Sequence, residues 1–182
     1  DPSGPITRGN LYGKDIVFLP RHGYGHTIPP HKVNYRANIW ALQEAGAKQI
    51  LAVAAVGGIR EDMLPSCIVA PDQIIDYTSA RITTYFEEGL QHVTHIDFSY
   101  PYSASLRARI IDAAAKAGIK IIDGATYAAT QGPRLETAAE VDRLDRDGCH
   151  IVGMTGMPEA ALARELELEY ATCAVVANWA AG

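Results

Sequence analysis

Asp15-Ile16-Val17-Phe18-Leu19-Pro20 runs without a break into Arg21-His22-Gly23-Tyr24-Gly25-His26-Thr27-Ile28-Pro29-Pro30-His31. An apolar run of strand character thus ends in a loop of cations, ring nitrogens and glycines. α/β proteins hold anions this way: the strand end fixes the donors, and glycine lets backbone N–H groups come close. Working outward, short β-rich runs alternate with stretches of helical period, which predicts an α/β fold with a mixed central sheet flanked by helices. Strands are expected at Asp15–Leu19, Gln49–Ala54, Cys67–Ala70, Gln73–Tyr77, Ile119–Tyr127, Cys149–Gly153 and Tyr170–Val176.

Helices fit the intervals. Asn34–Ala45 places Ile39 and Leu42 on one face and stops at Gly46, and Ser103–Ala117 places Leu106, Ile110 and Ala113 likewise before Gly118. Thr137 and Glu140 have the spacing of a capping box for a helix to Asp147, and Pro158 opens another to about Leu166. The stretch Thr78–Pro101 is aromatic and without period, which suits a flap over a site or a contact between subunits.

Composition narrows the function. The chain has 182 residues, 48% of them hydrophobic, enough for a single well-filled core. A formal net charge of −5 argues against a nucleic-acid or anionic-membrane binder, so any anion site is local. Cys67, Cys149 and Cys173 form no C-x-x-C pair and sit in apolar contexts, as reduced thiols of a cytoplasmic protein do. No apolar run approaches a bilayer span, so a soluble protein is expected. His22, His26 and His31 do not make a zinc triad, because Gly23, Gly25 and Pro29-Pro30 prevent the helix that would converge them, and no metal is expected.

Five motifs then occur in order: Arg21-His22-Gly23, His31 to Leu42, Val56-Gly57-Gly58-Ile59-Arg60-Glu61, Gln131-Gly132-Pro133-Arg134-Leu135-Glu136-Thr137, and Gly153-Met154-Thr155-Gly156-Met157-Pro158-Glu159. Together they resemble the methylthioadenosine/methylthioinosine phosphorylase branch of the trimeric purine nucleoside phosphorylases, over nearly the whole chain. The resemblance implies cleavage of the glycosidic bond of a 5′-methylthio purine nucleoside by inorganic phosphate, a co-substrate, with no cofactor. It assigns phosphate to Arg21, the ring N–H of His22, Ala54, the Ala55 backbone and the Thr155 hydroxyl. It puts Met154 beneath the ribose, the base against Glu136, Asn178 and Ala180, and His95 in a neighbouring subunit's 5′ pocket, which implies a homotrimer.

Such chemistry needs phosphate under C1′, tolerance of an oxocarbenium-like sugar and stabilisation of the departing purine. The base positions favour a 6-oxopurine, because a Glu136 carboxylate can accept from N1–H while the Asn178 amide donates to O6 or N7. Adenine would leave both mispaired, and the family's adenine branch carries a short hydroxyl and Asp at these two positions, with a second Asp where Ala180 stands. Methylthioinosine is therefore the expected substrate, with methylthioadenosine or general purine nucleoside phosphorolysis as alternatives. The strand-Arg-His-Gly opening also resembles that of histidine phosphatases, a short motif that would leave the later segments unexplained. The chain starts at Asp1-Pro2-Ser3-Gly4 without the family's opening strand and phosphate loop, and stops at Ala180-Ala181-Gly182 before its terminal helix. One phosphorylase domain, residues 1–182, shortened at both ends, is the expectation.

Overall fold

A computed structural model describes all residues from Asp1 to Gly182. Its centre is a seven-stranded mixed sheet, with Gln73–Asp76 (β5) at one edge, then Thr126–Ala129 (β7), Ile151–Gly153 (β8), Gln49–Gly58 (β3), Glu169–Trp179 (β9), Ile68–Ala70 (β4), and Ile121–Asp123 (β6) at the other edge. β3 and β9 pair in parallel through most of their length and form the spine, while β8 and β4 run antiparallel to them on either side. Alternation is clear along β3, where Ile50, Ala52, Ala54 and Val56 are buried and the residues between them face the cleft described below or solvent.

Helices cover the sheet as amphipathic faces require. Tyr35–Glu44 (α1), N-capped by the Asn34 side chain, buries Tyr35, Asn38 and Ile39 and packs on Gly156–Glu165 (α4). Ala104–Lys116 (α2) lies against β9, β6 and β4. Ala138–Arg146 (α3) buries Val141 and Leu144, the latter in a small cluster with Ala128, Cys149 and Val152. The Thr137–Glu140 capping box forms as expected.

Three expectations are corrected. The strand before the Arg-His-Gly loop, Lys14–Phe18 (β2), does not enter the central sheet; it pairs only with Thr7–Leu11 (β1) in a separate two-stranded ribbon. β1 escaped notice because Thr-Arg-Gly-Asn-Leu carries no buried face. The single strand expected over Ile119–Tyr127 is two, broken at Gly124 with φ of +91°: β6 lies at one edge, and β7 crosses to the far side between β5 and β8. β9 also continues beyond Val176 to Trp179, so Asn178 lies within a strand rather than after one.

That extension contains a bulge. Val56 stands opposite Val176 but Gly57 stands opposite Asn178, leaving Ala177 as an extra residue in β9. Residues in register share a face, so the extra residue moves Asn178 off the buried alternation of Thr172, Ala174 and Val176 and onto the face of Val53 and Ala55.

Candidate active site

At the end of the β3–β9 spine, beside β8, lies a cleft of about 530 Å³. Arg21, His22, Ala54, Ala55, Glu136, Met154, Thr155, Asn178 and Ala180 all line it, so residues from five separated segments converge on one cleft. His95 does not: it is exposed, on a stretch that is neither helix nor strand. A second hollow of about 370 Å³ under Val17–Gly23 shares Arg21, His22, His26 and Val53 with the cleft.

The Arg21 end is built around a buried ion pair. Arg21 Nε donates to Glu159 Oε1 at 2.6 Å and Nη2 to Glu159 Oε2 at 3.0 Å, and the Glu159 carboxylate also accepts from Tyr170 Oη at 2.7 Å. The two charged side chains are only 15% and 6% exposed. Burial works against the Arg21 charge, but the Glu159 carboxylate more than offsets it and the guanidinium is held charged. Nη1 reaches the Val53 carbonyl at 3.3 Å. Of its five N–H groups the Glu159 fork takes two and Val53 one, so one N–H on each terminal nitrogen remains for a ligand.

His22 is fixed by its other nitrogen. Nδ1 lies 2.8 Å from the Ile28 carbonyl, which can only accept, so Nδ1 carries the hydrogen and the neutral ring presents Nε2 as an acceptor, not as the N–H donor expected for phosphate. Burial lowers the His22 pKa against the pull of that hydrogen bond, and the nearby Arg21 charge lowers it further. The His26 ring lies against it with centroids 4.5 Å apart.

Thr155 occupies the N-cap position of α4 but makes no side-chain cap bond, so its hydroxyl is not spent on the helix, and the residue is 7% exposed. Behind it is the fully buried Tyr127 hydroxyl, facing Thr155 in space that a side chain at Gly153 would fill. α4 is irregular at Met157, whose φ of −121° and ψ of 140° are not helical, so the regular helix begins at Pro158 as expected.

The opposite wall is the loop from β7 to α3. Thr130 Oγ1 donates to Glu136 Oε1 at 2.7 Å, leaving Oε2 for another partner. The loop is closed behind Glu136 by Glu140, which accepts from Thr137 N at 2.8 Å and from both terminal nitrogens of Arg134 at 2.8 and 2.7 Å. These bonds hold the Glu140 pKa at about 2. Gly132, with φ of +59° that a side chain would strain, packs so closely on the Met154 thioether that any side chain there would have to displace it. Asn178 is exposed, its Nδ2 donating to the Trp179 carbonyl at 2.6 Å, so a second N–H and the Oδ1 acceptor stay available.

Sequence reasoning named Glu159 only as the last residue of a motif. Its signal was chemical: a buried arginine demands a carboxylate, but nothing in the sequence says which one, 138 positions away. No three His, Cys, Asp or Glu side chains are grouped so as to hold a metal ion, and no helix is long and apolar enough to cross a membrane.

Comparison with known proteins gives this geometry a family. The chain is 61% identical over 181 residues to a protein of Pseudomonas syringae pv. tomato named "Probable S-methyl-5'-thioinosine phosphorylase", covering all of this chain and 74% of that one. It is 49% identical to the 6-oxopurine nucleoside phosphorylase of Pyrococcus furiosus, covering 97% and 69% of the two chains. In structure it superposes on methylthioadenosine phosphorylase from Schistosoma mansoni in complex with tubercidin with a TM-score of 0.95, at 34% identity over 98% of this chain and 71% of that one. This sets aside the histidine phosphatase alternative. A family model described as the Phosphorylase superfamily matches residues 1–182 from end to end, and the chain belongs to that superfamily.

Proposed function

We propose that this enzyme cleaves S-methyl-5′-thioinosine with inorganic phosphate, giving hypoxanthine and 5-methylthioribose 1-phosphate. One observation carries this: a single cleft is lined by an arginine with two unspent N–H groups at one end and, at the other, by a carboxylate and a primary amide with the donor–acceptor pattern of a 6-oxopurine edge. The names of the relatives at 55–61% identity agree with it.

In this reading the free Nη1–H and Nη2–H of Arg21, the Thr155 hydroxyl and the backbone at Ala54 and Ala55 hold phosphate. His22 Nε2, an acceptor, takes the hydrogen of a protonated phosphate oxygen. As the C1′–N9 bond breaks, its electron pair leaves with the purine, positive charge develops on the ribose above Met154, a phosphate oxygen forms the new bond at C1′, and the proton that phosphate gives up ends on the purine, which leaves as neutral hypoxanthine. Glu136 Oε2 accepts from N1–H, and the spare Asn178 N–H stabilises the charge growing at O6 or N7. Ala180 leaves room at the base edge. Phosphate is a co-substrate; no cofactor or metal takes part.

The coarser features follow the same reading. Residues 1–182 form one phosphorylase domain, acting on purine nucleoside and phosphate rather than on nucleic acid or membrane, in the cytoplasm. The exposed His95 completes the 5′ pocket of a neighbour in a homotrimer. Exposed Ile82, Leu90, Val93 and Tyr100, on the same aperiodic stretch as His95, support burial of that stretch between subunits.

Base release from methylthioinosine, methylthioadenosine and inosine, with and without phosphate, tests the proposal. Release should require phosphate and favour methylthioinosine over methylthioadenosine by on the order of 10⁴-fold. Phosphate-independent release, or faster turnover of the adenosine substrate, overturns it. A second alternative, general purine nucleoside phosphorolysis, wins if inosine matches methylthioinosine.

A further inference from the structure

Arg81 sits at the start of the aperiodic stretch, half-buried, and lines none of the larger hollows, yet it touches both walls of the cleft. On the β7–α3 side, Nε donates to Gln131 Oε1 at 3.1 Å, and Nη2 to the carbonyls of Gln131 at 2.8 Å and Thr130 at 3.2 Å. On the α4 side, Nη1 donates to the carbonyls of Met154 at 2.8 Å and Met157 at 2.6 Å, and to Tyr35 Oη at 3.2 Å. Its Cζ lies 5.2 Å from the centroid of the buried Tyr35 ring, whose hydroxyl donates to Pro30 O at 2.9 Å.

The donor count decides what Arg81 can do. A guanidinium has five N–H groups, and the acceptors around Nε, Nη1 and Nη2 engage all of them, so none is left for phosphate or nucleoside. What it does hold is informative: Thr130, whose hydroxyl fixes Glu136, and Met154 and Met157, which bracket Thr155. We propose that Arg81 is a positioning residue that locks the base-reading wall and the sugar–phosphate floor into one rigid unit, so that base selectivity depends on a side chain that never meets the base. The inference rests on the phosphorylase function proposed above for its kinetic consequences, but its structural half stands alone.

A lysine has three donors on one nitrogen and cannot span both walls. Arg81→Lys should lower kcat/KM for methylthioinosine by on the order of 10²-fold, and narrow the preference over methylthioadenosine by about tenfold or more as Glu136 loses its register. In Arg81→Ala, millimolar guanidinium should restore part of both, and methylammonium should not. Hydrogen exchange should quicken at two separate segments, 130–137 and 154–157. Arg107 is the control, because it clasps the backbone carbonyls of Ala70 and Pro71 away from the cleft; Arg107→Lys should lower stability without touching the substrate ratio. An Arg81→Lys protein that loses stability as Arg107→Lys does, with its substrate ratio and the exchange of both segments unchanged, overturns the proposal, as does faster exchange in one segment alone. If the unaltered protein releases no base with phosphate, the proposed function falls, and the exchange of the two segments alone decides for or against the clamp.

Discussion

The cleft's two ends are held in opposite ways. Around Arg21 the charged groups are buried and paired, with Glu159 taking two N–H groups and Tyr170 bonding to that carboxylate. Around Glu136 and Asn178 the groups are half-buried or exposed, each with one neighbour bond, from Thr130 and to Trp179. An anion binder benefits from donors that cannot relax, because every reorientation is subtracted from binding. A base reader needs only the right pattern of donors and acceptors, and exposure makes that pattern easy to exchange. The contrast teaches that altering the first end costs the fold, whereas altering the second costs selectivity.

The strongest way to break this contrast is Glu159→Ala. It leaves the Arg21 charge buried and unpaired at a cost of about 3–5 kcal/mol, which should lower the melting temperature by roughly 10 °C and abolish phosphorolysis. Arg21→Met combined with Glu159→Leu should recover most of that temperature in thermal denaturation while still failing to use phosphate. A double variant with ordinary phosphate kinetics would remove the anion from this end.

Next in size is Asn178→Asp. A carboxyl group accepts from a 6-amino group where the amide donated to O6, so the methylthioinosine to methylthioadenosine ratio should fall by about 10²-fold, the effect of mispairing one or two polar groups that the bound base would cover. The melting temperature should move by no more than about 2 °C, since the residue is exposed. A large loss of stability with no change in ratio would reverse the contrast.

Smaller is Thr130→Val, which removes one hydrogen bond of 2.7 Å to Glu136. At about 1 kcal/mol, kcat/KM for methylthioinosine should drop about fivefold, with methylthioadenosine little affected; equal losses would mean that Glu136 does not read the base.

The smallest effect is on pH. Burial holds the His22 pKa below the 6.5 of a free ring, so the unfolded chain takes up the proton first. Its contribution to stability is present above pH 6.5 and lost as the pH falls through the folded value. Denaturation series between pH 7 and pH 5 should show a shallower decline for His22→Gln than for the unaltered chain. Parallel curves would exclude His22 from the loss.

Much of this was legible from periodicity and punctuation. Gly46, Gly118, Thr137 and Pro158 marked helix ends because capping and ring geometry act within a turn. The cleft-lining candidates were legible where they cluster in motifs, as at Arg21-His22 and Met154-Thr155. What escaped was long-range. That β2 leaves the main sheet is a matter of pairing partners, which an apolar run does not reveal. The break at Gly124 was hidden because both flanks favour strand. Arg81 was one basic residue in a stretch with no period, and its importance lies in carbonyls contributed by segments about fifty and seventy positions away.

The bulge at Ala177 has a consequence for how such a site diversifies. Loss of a residue between Tyr170 and Val176 would throw the buried alternation of β9 out of phase along its pairing with β3. Loss of Ala177 itself would leave Asn178 opposite Gly57 on a regular ladder, and a longer insertion there would loop outward past the last buried residue, Val176. Chain length is therefore a free variable at this point of the spine, and insertions and deletions, not only substitutions, are a route by which the rim of the cleft can acquire a new shape while the core beneath it keeps its register.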